Sequence, residues 1–135
     1  METSVPVGQP WGDETTPYEE LGGDERVRDL VERFYDRVDD SAPVLRAMLP
    51  KDDSVSRQKL YEFLSGWMGG PPLYMEKRGH PRLRMRHFPF AIGMTEVDEW
   101  LRCMNEALDE MGVSGRLRTY LDGQFHRSAH WMRNK

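Results

Sequence analysis

The residues whose types could do chemistry gather between His80 and Phe90, in the run His80-Pro81-Arg82-Leu83-Arg84-Met85-Arg86-His87-Phe88-Pro89-Phe90. His87 is the one to weigh. Met85 and Phe88 flank it and Phe90 follows, so its imidazole has apolar neighbours. A lone histidine in that setting is either a satisfied core residue or a metal ligand. Lys77, Arg78, Arg82, Arg84 and Arg86 crowd the same region. They form either a solvated charged surface or a rim that holds an anion, because guanidinium groups bind carboxylates in bidentate fashion. The propionates of a haem would be such anions.

The other candidates are weaker. His126 and His130 have i, i+4 metal-ligand spacing, but no third ligand accompanies them, and a solvated helix face is the better reading. His80 precedes a proline in a loop and is expected to be exposed. Cys103, the single cysteine, has no base near it in sequence and reads as a buried, inert thiol. It also rules out an intramolecular disulfide. No Gly-rich phosphate loop, Ser-His-Asp order or defensible carboxylate pair is present.

The elements that must position His87 are helical. Val27, Leu30, Val31, Phe34, Tyr35 and Val38 repeat at 3 and 4 spacing, with Asp24 a plausible N-cap. Tyr35 lies on that apolar face, where its hydroxyl needs a backbone carbonyl or a cavity. Asp39 to Ala42 breaks the helix, and Pro43 opens a short turn carrying Val44, Leu45, Met48 and Leu49. The next helix, about Val55 to Met68, places Ser56, Leu60, Phe63, Leu64 and Trp67 on one face and stops at Gly69-Gly70-Pro71-Pro72. One loose turn follows between Leu73 and Gly79. Between Pro81 and Pro89 there is room for only about two turns, and Pro89 pushes Phe88 out of the helix, so His87 is a last-turn residue. Thr95 and Asp98 suggest a capping box for a long helix with Val97, Trp100, Leu101, Met104, Leu108 and Met111 inward, ended by Gly112. Ser114 opens the last helix, with Leu117, Leu121, Phe125, Ala129 and Met132 inward. No segment alternates with a period of two, so no sheet is expected.

Length and composition bound the rest. The chain has 135 residues, is 38% hydrophobic and carries a formal net charge of −4; its mean hydropathy is −0.75. One domain over 18–135 is expected, after a polar arm at 1–17 rich in Pro, Gly and Thr. A core this modest would gain stability from a large apolar cofactor. The acidic balance argues against nucleic acid as a partner. Neither a membrane-spanning run nor a signal peptide is seen, and a cytoplasmic location is expected.

These residues, taken together, resemble the second group of truncated haemoglobins. The likeness runs from about Tyr18 to the C-terminus. It rests on Leu21-Gly22-Gly23, Phe34-Tyr35, Trp67-Met68-Gly69-Gly70-Pro71, Trp100-Leu101 and above all Arg78 to His87, followed by Pro89-Phe90. The resemblance implies an all-α fold, a two-over-two helical sandwich around haem b with a very short proximal helix. It makes His87 the proximal ligand of the iron and Tyr35 and Trp100 the distal hydrogen-bond donors. It puts Ser56 where most globins have histidine and Leu60 one turn on. Phe34, Phe63, Met85 and Phe90 become haem contacts, and Tyr74, Lys59 and Arg84 candidates for the haem rim. The chain departs from the family at Leu49, or Met48 if the register shifts by one, where relatives carry an aromatic residue. Two distal donors are therefore expected where relatives have three.

The function implied is reversible binding of O2, CO or NO, with O2 or NO redox chemistry within reach of such a site. The alternative is a peroxidase-like oxidoreductase that turns over H2O2. A reductase and a homodimer are the further partners considered. A helical interaction module with His87 merely in the core is the third reading.

Overall fold

The computed structural model describes residues 11–135 except 13 and 88, and for Leu83 and Arg84 the backbone alone. Most of the expected arm therefore lies outside the described residues. Among the described residues the chain is helical and holds no strand. The helices are α1 (Pro17–Leu21), α2 (Asp24–Ser41), α3 (Pro43–Ala47), α4 (Ser54–Trp67), α5 (Leu73–Arg78), α6 (Leu83–His87), α7 (Met94–Glu110) and α8 (Gly115–Trp131).

Helix α2 is the central piece. Its stripe Val27, Leu30, Val31, Phe34 and Val38 is fully buried. This stripe packs on α7 and α4, while α7 also packs on α8. The result is one pair, α2 with α4, laid over a second, α7 with α8. Leu64 and Met68 from α4, Cys103, Met104, Ala107 and Leu108 from α7, and Leu121 and Phe125 from α8 fill the space between them. Burying each large side chain here contributes about 1.5–3 kcal/mol.

Three local readings change. Asp24 is the first helical residue and not the cap; Gly23 takes the N-cap position at φ 84°. The Asp24 carboxylate is instead held by Arg28 Nε at 3.1 Å and by the Tyr61 hydroxyl. Helix α2 also runs on to Ser41, through the expected break, because Pro43 ends it only from beyond. At α7 the cap is Gly93, whose N–H donates to Glu96 Oε1 at 2.7 Å. Thr95 and Asp98 are already inside that helix.

The chain around α1 is tied down. Thr16 Oγ1 accepts the Glu19 N–H at 3.1 Å, and the Tyr18 N–H donates to the Met68 carbonyl at 2.9 Å. Gly70 is required beneath it, since a Cβ there would collide with the Tyr18 ring. Farther out, Trp11 meets the Tyr120 ring edge-on at 4.9 Å and lies under the Arg116 guanidinium at 3.9 Å.

Candidate functional site

His87 ends a helix of only five residues. The preceding chain turns sharply: Arg82 has φ 46° and its N–H donates to His80 Nδ1 at 3.3 Å. Arg86 Nε donates to the Pro81 carbonyl at 2.9 Å, so this cation of the expected rim also closes its own turn. After His87, the Phe90 N–H returns to the His87 carbonyl at 3.0 Å, and the two rings stand 6.4 Å apart.

Helix α5, which feeds this segment, is anchored to α4 by a buried ion pair. Glu62 is 2% exposed and accepts from Arg78 Nε at 2.6 Å, Gln58 Nε2 at 2.9 Å and Lys77 Nζ at 3.3 Å. Burial pushes its carboxyl up, but these donors outweigh that and hold it at about 2. On the other side of α4, Arg57 binds Glu32, Asp36, Asp39 and Asp53 together, linking α2 to the start of α4. Its guanidinium lies 5.5 Å from the Tyr35 ring.

A cavity of about 170 Å³ opens between these elements. Helix α2 contributes Phe34, Tyr35 and Val38, and α3 with its following turn contributes Leu45, Met48 and Leu49. His87, Phe90 and Ile92 come from α6 and the loop after it, Glu96, Val97 and Trp100 from α7, and Ala129 and Met132 from α8. The lining is thus almost wholly apolar, with one imidazole and two aromatic O–H and N–H donors. Such a wall suits an apolar ligand fixed by a few polar groups.

The donors are in a usable state. Among the described residues Tyr35 O–H reaches only the Ser56 carbonyl, at 3.5 Å, the outer limit of a hydrogen bond. Burial pushes its phenol well above the ordinary range, Asp53 adds to this and Arg57 opposes it, so the proton stays on Oη. Trp100 packs on Phe34 at 5.2 Å and on Phe125 at 5.5 Å, and its indole carries an N–H donor in the cavity wall. Glu96 is the one carboxylate in the lining; the Gly93 N–H and its own N–H hold it below the usual carboxylate range.

The sequence-expected residues divide. Phe34, Tyr35, Leu49, His87, Phe90 and Trp100 line the cavity, and Met48 lines it as well as Leu49, so both registers of the α3 turn reach it. Ser56, Lys59, Leu60, Phe63, Tyr74 and Met85 do not line it. Leu60 and Phe63 pack against the main core, and Phe63 stacks on Trp67 at 6.1 Å. Ser56 meets the site only through its carbonyl. Tyr74 is buried beside Arg78, Lys59 is exposed, and Met85 is 42% exposed. The Arg84 side chain is outside the described residues. Val38, Val97, Ala129 and Met132 join the site from the inward stripes, which marked them as core without separating core from cavity wall. Leu45, Ile92 and Glu96 carried no site signal at all.

The histidine pair His126 and His130 does come together, with ring centroids 4.3 Å apart on α8. Among the described residues, however, no three His, Cys, Asp or Glu side chains group into a metal site.

The bacterial-like globin family model matches residues 16–134. The group 2 truncated haemoglobin YjbI of Bacillus subtilis is 43% identical over 119 residues, which cover 88% of this chain and 89% of that protein. The group II 2-on-2 haemoglobin of Agrobacterium tumefaciens superposes with a TM-score of 0.86 at 46% identity, over 91% of this chain and 98% of that one. A truncated oxygen-avid haemoglobin from Bacillus subtilis superposes with a TM-score of 0.84 at 42% identity, over 89% of this chain and all of that one.

Proposed function

Because the chain belongs to the bacterial-like globin family, among its group 2 truncated haemoglobins, we propose that it holds haem b through His87 and binds diatomic ligands on the side of Tyr35 and Trp100. Family membership implies haem binding and small gaseous ligands. The finer reading rests on the residues that line one cavity.

The donor set suits haem. A single imidazole makes no closed metal site, so His87 needs a metal that brings most of its own coordination, as haem iron does. The walls Phe34, Val38, Leu45, Met48, Val97 and Ala129 suit an apolar macrocycle. Phe90 lines the cavity yet is 42% exposed, an apolar face that haem would cover. Lys77, Arg82 and Arg86 are near in sequence to pair with propionates.

Haem, when bound, supplies an iron centre that takes O2, CO or NO. The chain does the rest. His87 would hold the iron through an imidazole nitrogen, from a segment tied by the Phe90 N–H and by Arg86. Tyr35 and Trp100 offer O–H and N–H donors to a polar ligand in a wall that is otherwise mostly apolar. Burial keeps the Tyr35 proton in place across the physiological range. The oxygen-avid character of the Bacillus subtilis relative supports O2 among the ligands. No helix of the described residues is long and apolar enough to cross a membrane.

The observation that carries this reading is the meeting of His87, Tyr35 and Trp100 in one apolar cavity. The test is the visible spectrum of the purified protein in ferric, ferrous and CO-treated forms. A Soret band is expected in the wild type, and His87→Gly is expected to abolish or strongly shift it. A wild-type spectrum in that variant would overturn the assignment of His87.

A further inference from the structure

The carbonyl of His87 has a second partner far along the chain. Asn134, beyond the end of α8, donates from Nδ2 to the Phe90 carbonyl at 2.9 Å and to the His87 carbonyl at 3.4 Å. Its Oδ1 accepts the Ile92 N–H at 2.9 Å, and its own backbone N–H donates to the Ile92 carbonyl, also at 2.9 Å. One residue thus engages the last residue of α6 and two positions of the loop after it, and all three of those residues line the cavity.

The chemistry fits an amide. The Phe90 carbonyl takes a donor, the His87 carbonyl a second one beside the Phe90 N–H, and the Ile92 N–H an acceptor, and asparagine offers both on one short side chain. The amide orientation is determined by this pattern, since the flipped form would set its oxygen against two carbonyls. Aspartate has the same shape but no donor. The short helix α6 has too few residues to hold His87 by its own ladder: its last carbonyls are among the unsatisfied groups of a helix end. The Phe90 N–H takes the His87 carbonyl from within the turn, and Asn134 takes it from α8's side. The same α8 supplies Ala129, and Met132 follows it, in the cavity wall.

We infer that Asn134 is a positioning residue for His87: it clamps His87, Phe90 and Ile92 to the end of α8 and so sets the height and tilt of the imidazole. The inference rests on His87 being the haem ligand. Partners that orient a ligand typically matter to metal retention far more than their exposure suggests.

The experiment uses the haem-loaded full chain in four forms: wild type, Asn134→Ala, Asn134→Asp and His87→Gly. Hydrogen exchange at the Ile92 amide reads the clamp itself. Haem transfer to an excess of acceptor globin and the ferrous iron–histidine stretching band read the position of the imidazole. Asn134→Ala is expected to speed exchange at Ile92 by about tenfold or more. It is also expected to speed haem loss by about threefold or more and to move or broaden the stretching band. Asn134→Asp keeps the acceptor for the Ile92 N–H and the backbone bond but loses both donations. It is expected to leave Ile92 protected and still to disturb the band and haem loss. A tail that merely ties down the loop predicts that aspartate restores wild-type behaviour, and that result would overturn the inference. So would a wild-type band and haem-loss rate in both Asn134 variants. If His87→Gly loses the band while the Asn134 variants keep it, only the role of Asn134 falls. If His87→Gly keeps it, the assignment of His87 falls and this inference with it.

Discussion

Replacing Glu62 with Gln is expected to remove most of the acid sensitivity of one joint in the fold. In the native chain burial raises the Glu62 carboxyl, but hydrogen bonds from Arg78, Gln58 and Lys77 bring it down to about 2, against an ordinary 4.5. A carboxyl held that low contributes about 3 kcal/mol at neutral pH. Lys77 is 61% exposed and Arg78 25%, so solvent screens part of the attraction. The measurable share is then about 2 kcal/mol. The sign follows from the depressed value: the contribution is complete above about pH 4.5 and is lost as pH falls toward about pH 2. The assay is urea unfolding followed by circular dichroism, at several pH values from about 7 down to about 3. Wild type should lose more stability than Glu62→Gln on acidification, and the gap between the two should shrink across that window. Parallel curves, or a gap that widens in acid, would refute the reasoning and return Glu62 to the status of an ordinary helical glutamate.

The remaining expectations concern the cavity and its supports. Tyr35→Phe and Trp100→Phe, each in the haem-loaded protein, should speed O2 dissociation at least several-fold, since a hydrogen bond to a charged acceptor is worth about 1.5–3 kcal/mol. Stopped-flow measurement that finds both off-rates unchanged removes the two-donor account. Cys103 is fully buried and its thiol is pushed up to about 11 by desolvation. It should resist thiol reagents at about pH 8 in the folded protein and react only after denaturant is added. Fast native-state labelling would contradict that. Arg57→Gln leaves Glu32, Asp36, Asp39 and Asp53 without their common cation. A loss of about 2–3 kcal/mol is expected, partly recovered by salt that screens the surviving carboxylates. A loss below about 0.5 kcal/mol would mean that the cluster is an ordinary surface network.

The helices were legible because burial imposes a period on the sequence. Val27 through Val38 alternate between 3 and 4 spacing, and those residues, Tyr35 apart, are the buried face of α2. The proline-bounded His87 segment was legible for a similar reason, since few conformations satisfy two prolines so close together. What escaped is chemistry between distant positions. Glu62 reads as one more charged residue on a helix, and only Arg78, arriving from α5, makes it a buried anion. Asn134 sits among polar residues and shows nothing until its amide meets the His87 loop. The α7 cap escaped for another reason: the cap position is a glycine, and the recognisable half of the motif is Glu96 alone. The cavity lining was only half legible because a stripe of apolar residues does not record which of its members face a neighbouring helix and which face a space. Phe63 and Leu60 pack against the core away from the cavity, while Val38 and Val97 are buried in the core and line the wall as well.

Helix α3 has no buried residue, whereas α2 and α7, which also wall the cavity, each bury several. Phe34 and Val38 belong to the core cluster and to the lining at once. Any change of size there disturbs folding and ligand together. Leu45, Met48 and Leu49 touch the cavity from a five-residue helix and its turn, and pack against the core only partly buried. Substitutions at those three positions can alter the polarity of the site at small cost in stability. The fold thereby separates a side of the cavity whose size folding fixes, on α2, from a side on α3 and its turn that substitution can adjust.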